Sequence, residues 1–140
     1  MEGDRSQWLE LRLALWPRDD AAEFEADITG MLADPGATPA FGAFVDGSLI
    51  GFAEASERPW GNGCETAPVG WLEGIFVVPD HRRLGIAAAL VDAVMAWARA
   101  RGYSELGSDA EVDNHVSIAR HAQWGFKETK RTVNFRKWLK

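Results

Sequence analysis

A single cysteine, Cys64, stands in a chain of 140 residues. One thiol closes no internal disulfide and builds no cysteine-based metal cluster, which suits a reducing compartment. No apolar stretch approaches the length of a membrane span. The first residues, MEGDRSQW, hold no basic region followed by an apolar one, so no signal peptide is read there. A cytoplasmic protein is the expectation. An excess of basic residues is missing too, since the formal net charge is −6. Nucleic acid needs basic surface and is a poor partner for such a chain; a cationic small molecule is a reasonable one, although modest negative charge also simply aids solubility. His81, His115 and His121 fall into no metal-binding spacing, so no metal is expected. Repeats, low-complexity tracts and linkers are absent, and this length predicts one domain over residues 1–140. Set against these absences is a hydrophobic fraction of 46% with seven tryptophans, enough for a packed core.

Ser6 to Leu15 is strongly apolar and stops at Pro17, which predicts a short helix. Asp20 is placed to cap a second helix through Ala33, with Phe24, Ile28, Met31 and Leu32 on one face. The period then changes. Phe41–Val45 and Leu49–Ala55 are strand-like runs around Asp46-Gly47, a hairpin signal. Residues 58–68 read as a loop. Val69 to Val78 is apolar except for Glu73, as in a buried central strand. Leu84 to Arg101 carries Ala87, Leu90, Val91, Val94 and Ala98 at helical spacing, and Gly102 ends it. A short strand at Ser104–Ser108, a short helix at Asn114–Gln123 and a last strand or hairpin within Lys127–Leu139 complete a mixed α/β order.

The stretch from Val77 to Ala87 is the most informative. A buried strand runs into a loop with Arg82, Arg83 and Gly85, and a helix starts at once. The first turn of a helix presents unbonded N–H groups and the positive end of its dipole, which together bind phosphate. Gly85, without a Cβ, lets an anion approach the backbone. Neither G-x-x-x-x-G-K-[ST] nor G-x-G-x-x-G is present. The pattern that stands here, Arg82-x-x-Gly85-x-Ala87, resembles the pyrophosphate motif of the GNAT superfamily of N-acetyltransferases. Asn114 at the start of the next helix and Gly125-Phe126 at its end agree with that resemblance, though Asn114 is equally a plain helix cap.

The resemblance implies a mixed α/β GNAT fold, with the first strand missing or shortened, since only MEGDR precedes the first helix. It implies acetyl-CoA as co-substrate, held by Ile75, Phe76 and Val77 as a pseudo-strand partner and by Arg82, Arg83, Leu84, Gly85, Ile86, Ala87 and Asn114. The two central strands would splay into a V-shaped opening. Where many members carry a tyrosine as the acid toward the leaving thiolate, this chain has His121, chemically suited to that task; its other reading is a surface helix histidine.

Several segments look like the aminoglycoside 6'-N-acetyltransferase branch: Leu15-Trp-Pro17, Gly51-Phe-Ala-Glu-Ala55, Asn62-Gly-Cys64, Leu72-Glu-Gly-Ile-Phe-Val77, Ser108-Asp109 and Gly125-Phe-Lys-Glu-Thr129. An aminoglycoside carries several ammonium groups on hydroxylated rings, so its pocket needs carboxylates and flat side chains. By the resemblance, Glu73 and Asp109 hold the amino sugar, and Trp16 and Trp60 line its walls. Glu73 draws attention as a charge inside an apolar strand, where burial needs a partner or a task, with Gly74 leaving room beside it. A carboxylate is a weak base toward an ammonium, so positioning and proton relay are the roles expected of the pair. Trp16 as core and Asp109 as a turn cap are the structural alternatives. Departures from the branch are Lys130 at an expected acidic position and Phe135 in place of a common tyrosine. The alternatives for function are a GNAT enzyme acting on a polyamine or a protein N-terminus, and a non-catalytic acyl-CoA-binding regulator. The Trp-rich C-terminal segment points to a homodimer.

Overall fold

Caps and breakers explain where the helices begin and end. The computed structural model describes residues 2–17 and 20–140. One 3-10 turn, Glu2–Asp4, leads into α1, Arg5–Leu15, and no strand precedes it among the described residues. Trp8 and Leu11, three positions apart, bury one face of α1. In α2, Ala21–Ala33, the predicted cap is present: the Asp20 carboxylate accepts the Ala22 N–H at 2.8 Å.

β1, Ala40–Val45, and β2, Ser48–Arg58, form the predicted hairpin. Asp46 and Gly47 take φ of 49° and 80°, the paired left-handed residues whose twist suits a two-residue connection. β3, Val69–Val77, runs antiparallel to β2, and α3, Ile86–Ala100, leads on to β4, Leu106–Gly107, which is parallel to β3. The sheet order is β1-β2-β3-β4.

Helices cover both faces of this sheet. On one, Trp8, Leu11 and Ile28 pack with Leu49 and Phe52. Trp8, Ile28 and Phe52 are fully buried there, and each large apolar side chain so buried contributes about 1.5–3 kcal/mol. On the other, α3 lies so close that a Cβ on Gly70 would meet Trp97 and Ala98.

The register between β2 and β3 shifts at one point. Glu54 faces Gly74 and Ala55 faces Leu72, so Glu73 is an extra residue, a β-bulge, which bends a strand and re-aims its side chains. β4 is short. It pairs with β3 only through Leu106 and Gly107, opposite Gly70 and Trp71. The strand expected over Ser104–Ser108 is therefore two residues long.

The chain divides into two compact units, Met1–Asp109 and Ala110–Lys140. The second holds α4, His115–Gln123, capped as expected by the Asn114 side chain, which accepts the Ser117 N–H at 3.1 Å. The strand or hairpin expected within Lys127–Leu139 is not formed. A strand exists only through ladder bonds to a neighbour, and no described residue supplies one. No described helix is long and apolar enough to cross a membrane.

Candidate active site

The bulge corrects one expectation and supplies a better one. Glu73 is not a buried charge: it is exposed on β3 while Val69 to Leu72 are buried. It also has partners. Its Oε2 accepts from the Ser56 hydroxyl at 2.5 Å and from Arg58 Nε at 3.0 Å, and its Oε1 accepts from Arg58 Nη2 at 2.8 Å. Ser56 and Arg58 alternate along β2, so they share the face toward which the bulge turns Glu73. A carboxylate has about four acceptor positions, and the three bonds leave it able to accept from an incoming ammonium.

Gly74 does not leave an open space. A Cβ there would lie 2.5 Å from Trp16 Cη2 and 2.7 Å from Cζ2, so the edge of the Trp16 indole already fills it. Trp16 caps the end of α1 and is half-buried. It meets Phe24 and Phe52 edge-on, with ring centroids 5.8 and 6.5 Å away. It is thus neither plain core nor free wall: one side is packed and the indole adjoins the residue after Glu73.

Trp60 is exposed on the loop after β2. Its neighbour Gly61 packs flat on the buried Trp71 ring. Further along the same loop, the Glu105 carboxylate accepts the Glu65 and Thr66 N–H groups at 2.8 and 2.6 Å and the Thr66 hydroxyl at 2.5 Å. These bonds, the Thr66 hydroxyl's first, hold the Glu105 carboxyl below its ordinary range. Asp109 is exposed two residues past β4. The chain just before it is tied to β3, because the Ser108 hydroxyl donates to the Leu72 carbonyl at 3.2 Å, and Leu72 precedes Glu73.

On the β4 side no described strand pairs with Glu73–Val77. Ile75, Phe76 and Val77 therefore keep one backbone edge unladdered among the described residues, as an extended thioester arm would require. β3 then runs into the arginine loop. Arg82 Nε donates to the Val77 carbonyl at 2.7 Å, and its guanidinium lies 5.3 Å from the Phe76 ring centroid. Arg83 takes φ of 65° and Gly85 φ of 79°. A left-handed arginine is strained, and such strain tends to be stored at functional sites. At Gly85 the same conformation is free of that strain and caps α3. The helix begins at Ile86, two residues later than the periodicity of Leu84 to Arg101 indicates, and Leu84 stays exposed. The first α3 bond back to the cap is Ala89 N–H to Gly85 carbonyl, 3.0 Å, so the Ile86, Ala87 and Ala88 N–H groups are the unbonded first-turn donors that suit a pyrophosphate.

In the second unit, Asn114 spends its side-chain oxygen on the α4 cap. His121 is half-buried, with its ring 5.3 Å from Trp124 and 5.2 Å from Phe126. Its Nδ1 lies 2.7 Å from the Ser117 carbonyl and 3.3 Å from the Ser117 hydroxyl, and since a carbonyl only accepts, Nδ1 is the donor to it.

Sequence reasoning passed over Ser56, Arg58 and Trp71. A period-two signal was present for the first two, but nothing local marked the bulge that joins them to Glu73. Arg58 also lies 4.3 Å over the Trp71 ring centroid.

The Acetyltransferase (GNAT) family model matches residues 5–126. Aminoglycoside N(6')-acetyltransferase type 1 of Serratia marcescens is 43% identical over 133 residues, covering 94% of this chain and 91% of that protein. The apo crystal structure of aminoglycoside antibiotic 6'-N-acetyltransferase AAC(6')-IG from Acinetobacter haemolyticus superposes with a TM-score of 0.93 at 40% identity, covering 100% of this chain and 96% of that one. AAC(6')-Iy, in complex with the bisubstrate analogue CoA-S-monomethyl-acetylneamine, superposes with a TM-score of 0.92 at 38% identity, covering 98% and 93%.

Proposed function

This chain belongs to the GNAT acetyltransferase family, and from that premise we propose that it moves an acetyl group from acetyl-CoA to a primary amine, the 6'-amino group of an aminoglycoside. The observation that carries the acceptor is the bulged carboxylate of Glu73 set beside an aromatic face, Trp16 on Gly74. A sugar ring needs the flat surface and an ammonium needs the anion. The relatives whose names state aminoglycoside acetylation support the same acceptor.

Bound acetyl-CoA supplies an acetyl group activated as a thioester. The residues do the rest. The unladdered edge at Ile75–Val77 aligns the arm, while Arg82, Arg83 and the backbone from Leu84 to Ala87 hold the pyrophosphate. Asn114, beyond its cap, is assigned to the same arm. Glu73 and Asp109 orient the amine and accept the proton that it sheds on forming the amide. His121 returns a proton to the leaving sulfur. Trp16 and the exposed Trp60 flank the sugar. Residues 1–140 act as one catalytic domain; the family match, over residues 5–126, extends past the first unit into the second. The setting is the cytoplasm, where acetyl-CoA is made, and the consequence there is aminoglycoside resistance.

Thiol release from acetyl-CoA tests this with kanamycin, tobramycin, spermidine and no acceptor. Turnover is expected with the two aminoglycosides, with mass spectrometry placing the acetyl group on the 6' nitrogen. Turnover with spermidine alone would move the acceptor to polyamines, and acetyl-CoA binding without turnover would favour a regulator.

The second unit supports a homodimer. Val133, Phe135, Trp138 and Leu139 are each more than three-quarters exposed in a segment without helix or strand, an apolar load that calls for cover. Light scattering is expected to give twice the chain mass for the full chain and the single mass after removal of residues 132–140; a monomeric full chain would refute it.

A further inference from the structure

Arg12 and Glu54 form an ion pair that is only 5% and 3% exposed. Two charges withdrawn from water lose much of their hydration, and an apolar pair of the same volume is often no less stable. The location of this pair suggests a task beyond stability. Glu54 is the β2 residue opposite Gly74, at the bulge. Its Oε1 receives Arg12 Nη1 at 2.5 Å and its Oε2 receives the Trp8 indole N–H at 2.8 Å. Arg12 Nη2 reaches Asp27 at 3.0 Å. The guanidinium, fixed at two corners, lies 5.0 Å from the Trp16 ring centroid and 4.6 Å from that of Phe24. Arg12 Nε, buried, finds no acceptor among the described residues, as expected of a guanidinium whose position is set by its rings as well as its carboxylates.

We propose that Arg12 and Glu54 are positioning residues for the acceptor: they clamp the Trp16 indole onto Gly74 and thereby set the aromatic face beside Glu73. Trp16 then has a guanidinium on one side, Gly74 against its edge, and Phe24 and Phe52 edge-on. It has little freedom to swing, and a sugar ring meets a preformed wall. A lysine at position 12 would keep a cation for Glu54 but lacks the flat group that stacks on the indole. The proposal rests on Trp16 being a wall of the aminoglycoside pocket.

The test is steady-state kinetics on Arg12→Lys, with Trp16→Ala as reference and thermal melting alongside. Arg12→Lys is expected to raise KM for kanamycin about tenfold, the size of one lost stacking contact. KM for acetyl-CoA stays within about twofold, because those contacts lie elsewhere. Combined with Trp16→Ala it should add nothing further, since both remove one wall. If Arg12→Lys proves too unstable, the neutral double variant Arg12→Met with Glu54→Gln replaces it; its glutamine retains an oxygen for the Trp8 N–H. Should Trp16→Ala raise the kanamycin KM while folded Arg12 variants leave it unchanged, the clamp is overturned and the pocket reading stands. Should Trp16→Ala itself leave that KM unchanged, the wall reading falls and the clamp with it.

Discussion

Glu73→Ala is expected to lower kcat/KM for aminoglycosides by about two to four orders of magnitude, the range of a positioned proton acceptor. Two effects combine. The variant removes the anion proposed to orient the amine, and it leaves Arg58, now without its bidentate partner, as a cation that would repel a polycation. KM for acetyl-CoA should hold, since the Arg82–Ala87 loop is untouched. Stability should hold as well. The Arg58–Glu73 pair is about a third exposed on both sides, and such pairs contribute about 0–1 kcal/mol. Glu73→Gln, which keeps an acceptor for Ser56 and loses the charge, should fall between the two. A Glu73→Ala enzyme with full turnover and an unchanged melt would reduce Glu73 to the counter-ion of Arg58.

Glu54→Ala is expected to destabilise the fold by about 3–5 kcal/mol, the loss found when one partner of a buried pair is deleted. That is a large fraction of the roughly 5–15 kcal/mol that holds a domain together. The Arg12 guanidinium would keep Asp27 but lose its buried carboxylate, and the Trp8 N–H would lose its acceptor. Urea unfolding by fluorescence measures this, and a midpoint unchanged from the parent would contradict it. Glu54→Gln separates charge from bonding through pH. Burial, more than offsetting the attraction of Arg12, raises the Glu54 carboxyl above its ordinary value. As pH climbs through the window from the ordinary value to the raised one, the native state holds a proton that the unfolded chain has released. Stability then falls with rising pH in that window. Glu54→Gln has no such proton, so it should gain on the parent across that interval.

The sequence by itself determined the punctuation of this fold, including the glycine that opens the helix after the arginine loop. Asp20, Asp46-Gly47, Gly85 and Asn114 act through their own backbone or that of a near neighbour, and such local rules are written in the order of residues. The helices of the first unit and the hairpin followed from periodicity for the same reason. Tertiary structure alone decided the rest. The bulge at Glu73 is a mismatch between two strands and has no signature in either one. Arg58, not burial, accounts for the Glu73 charge, and Gly74 is small because Trp16 from another element rests on it. Arg12 and Glu54 lie 42 positions apart, and only the packing of α1 on β2 brings their charges together out of water. In the C-terminal segment a last strand or hairpin was expected within Lys127–Leu139, but no strand forms there. Alternation sets which side of a strand is apolar, whereas a ladder partner decides whether there is a strand at all.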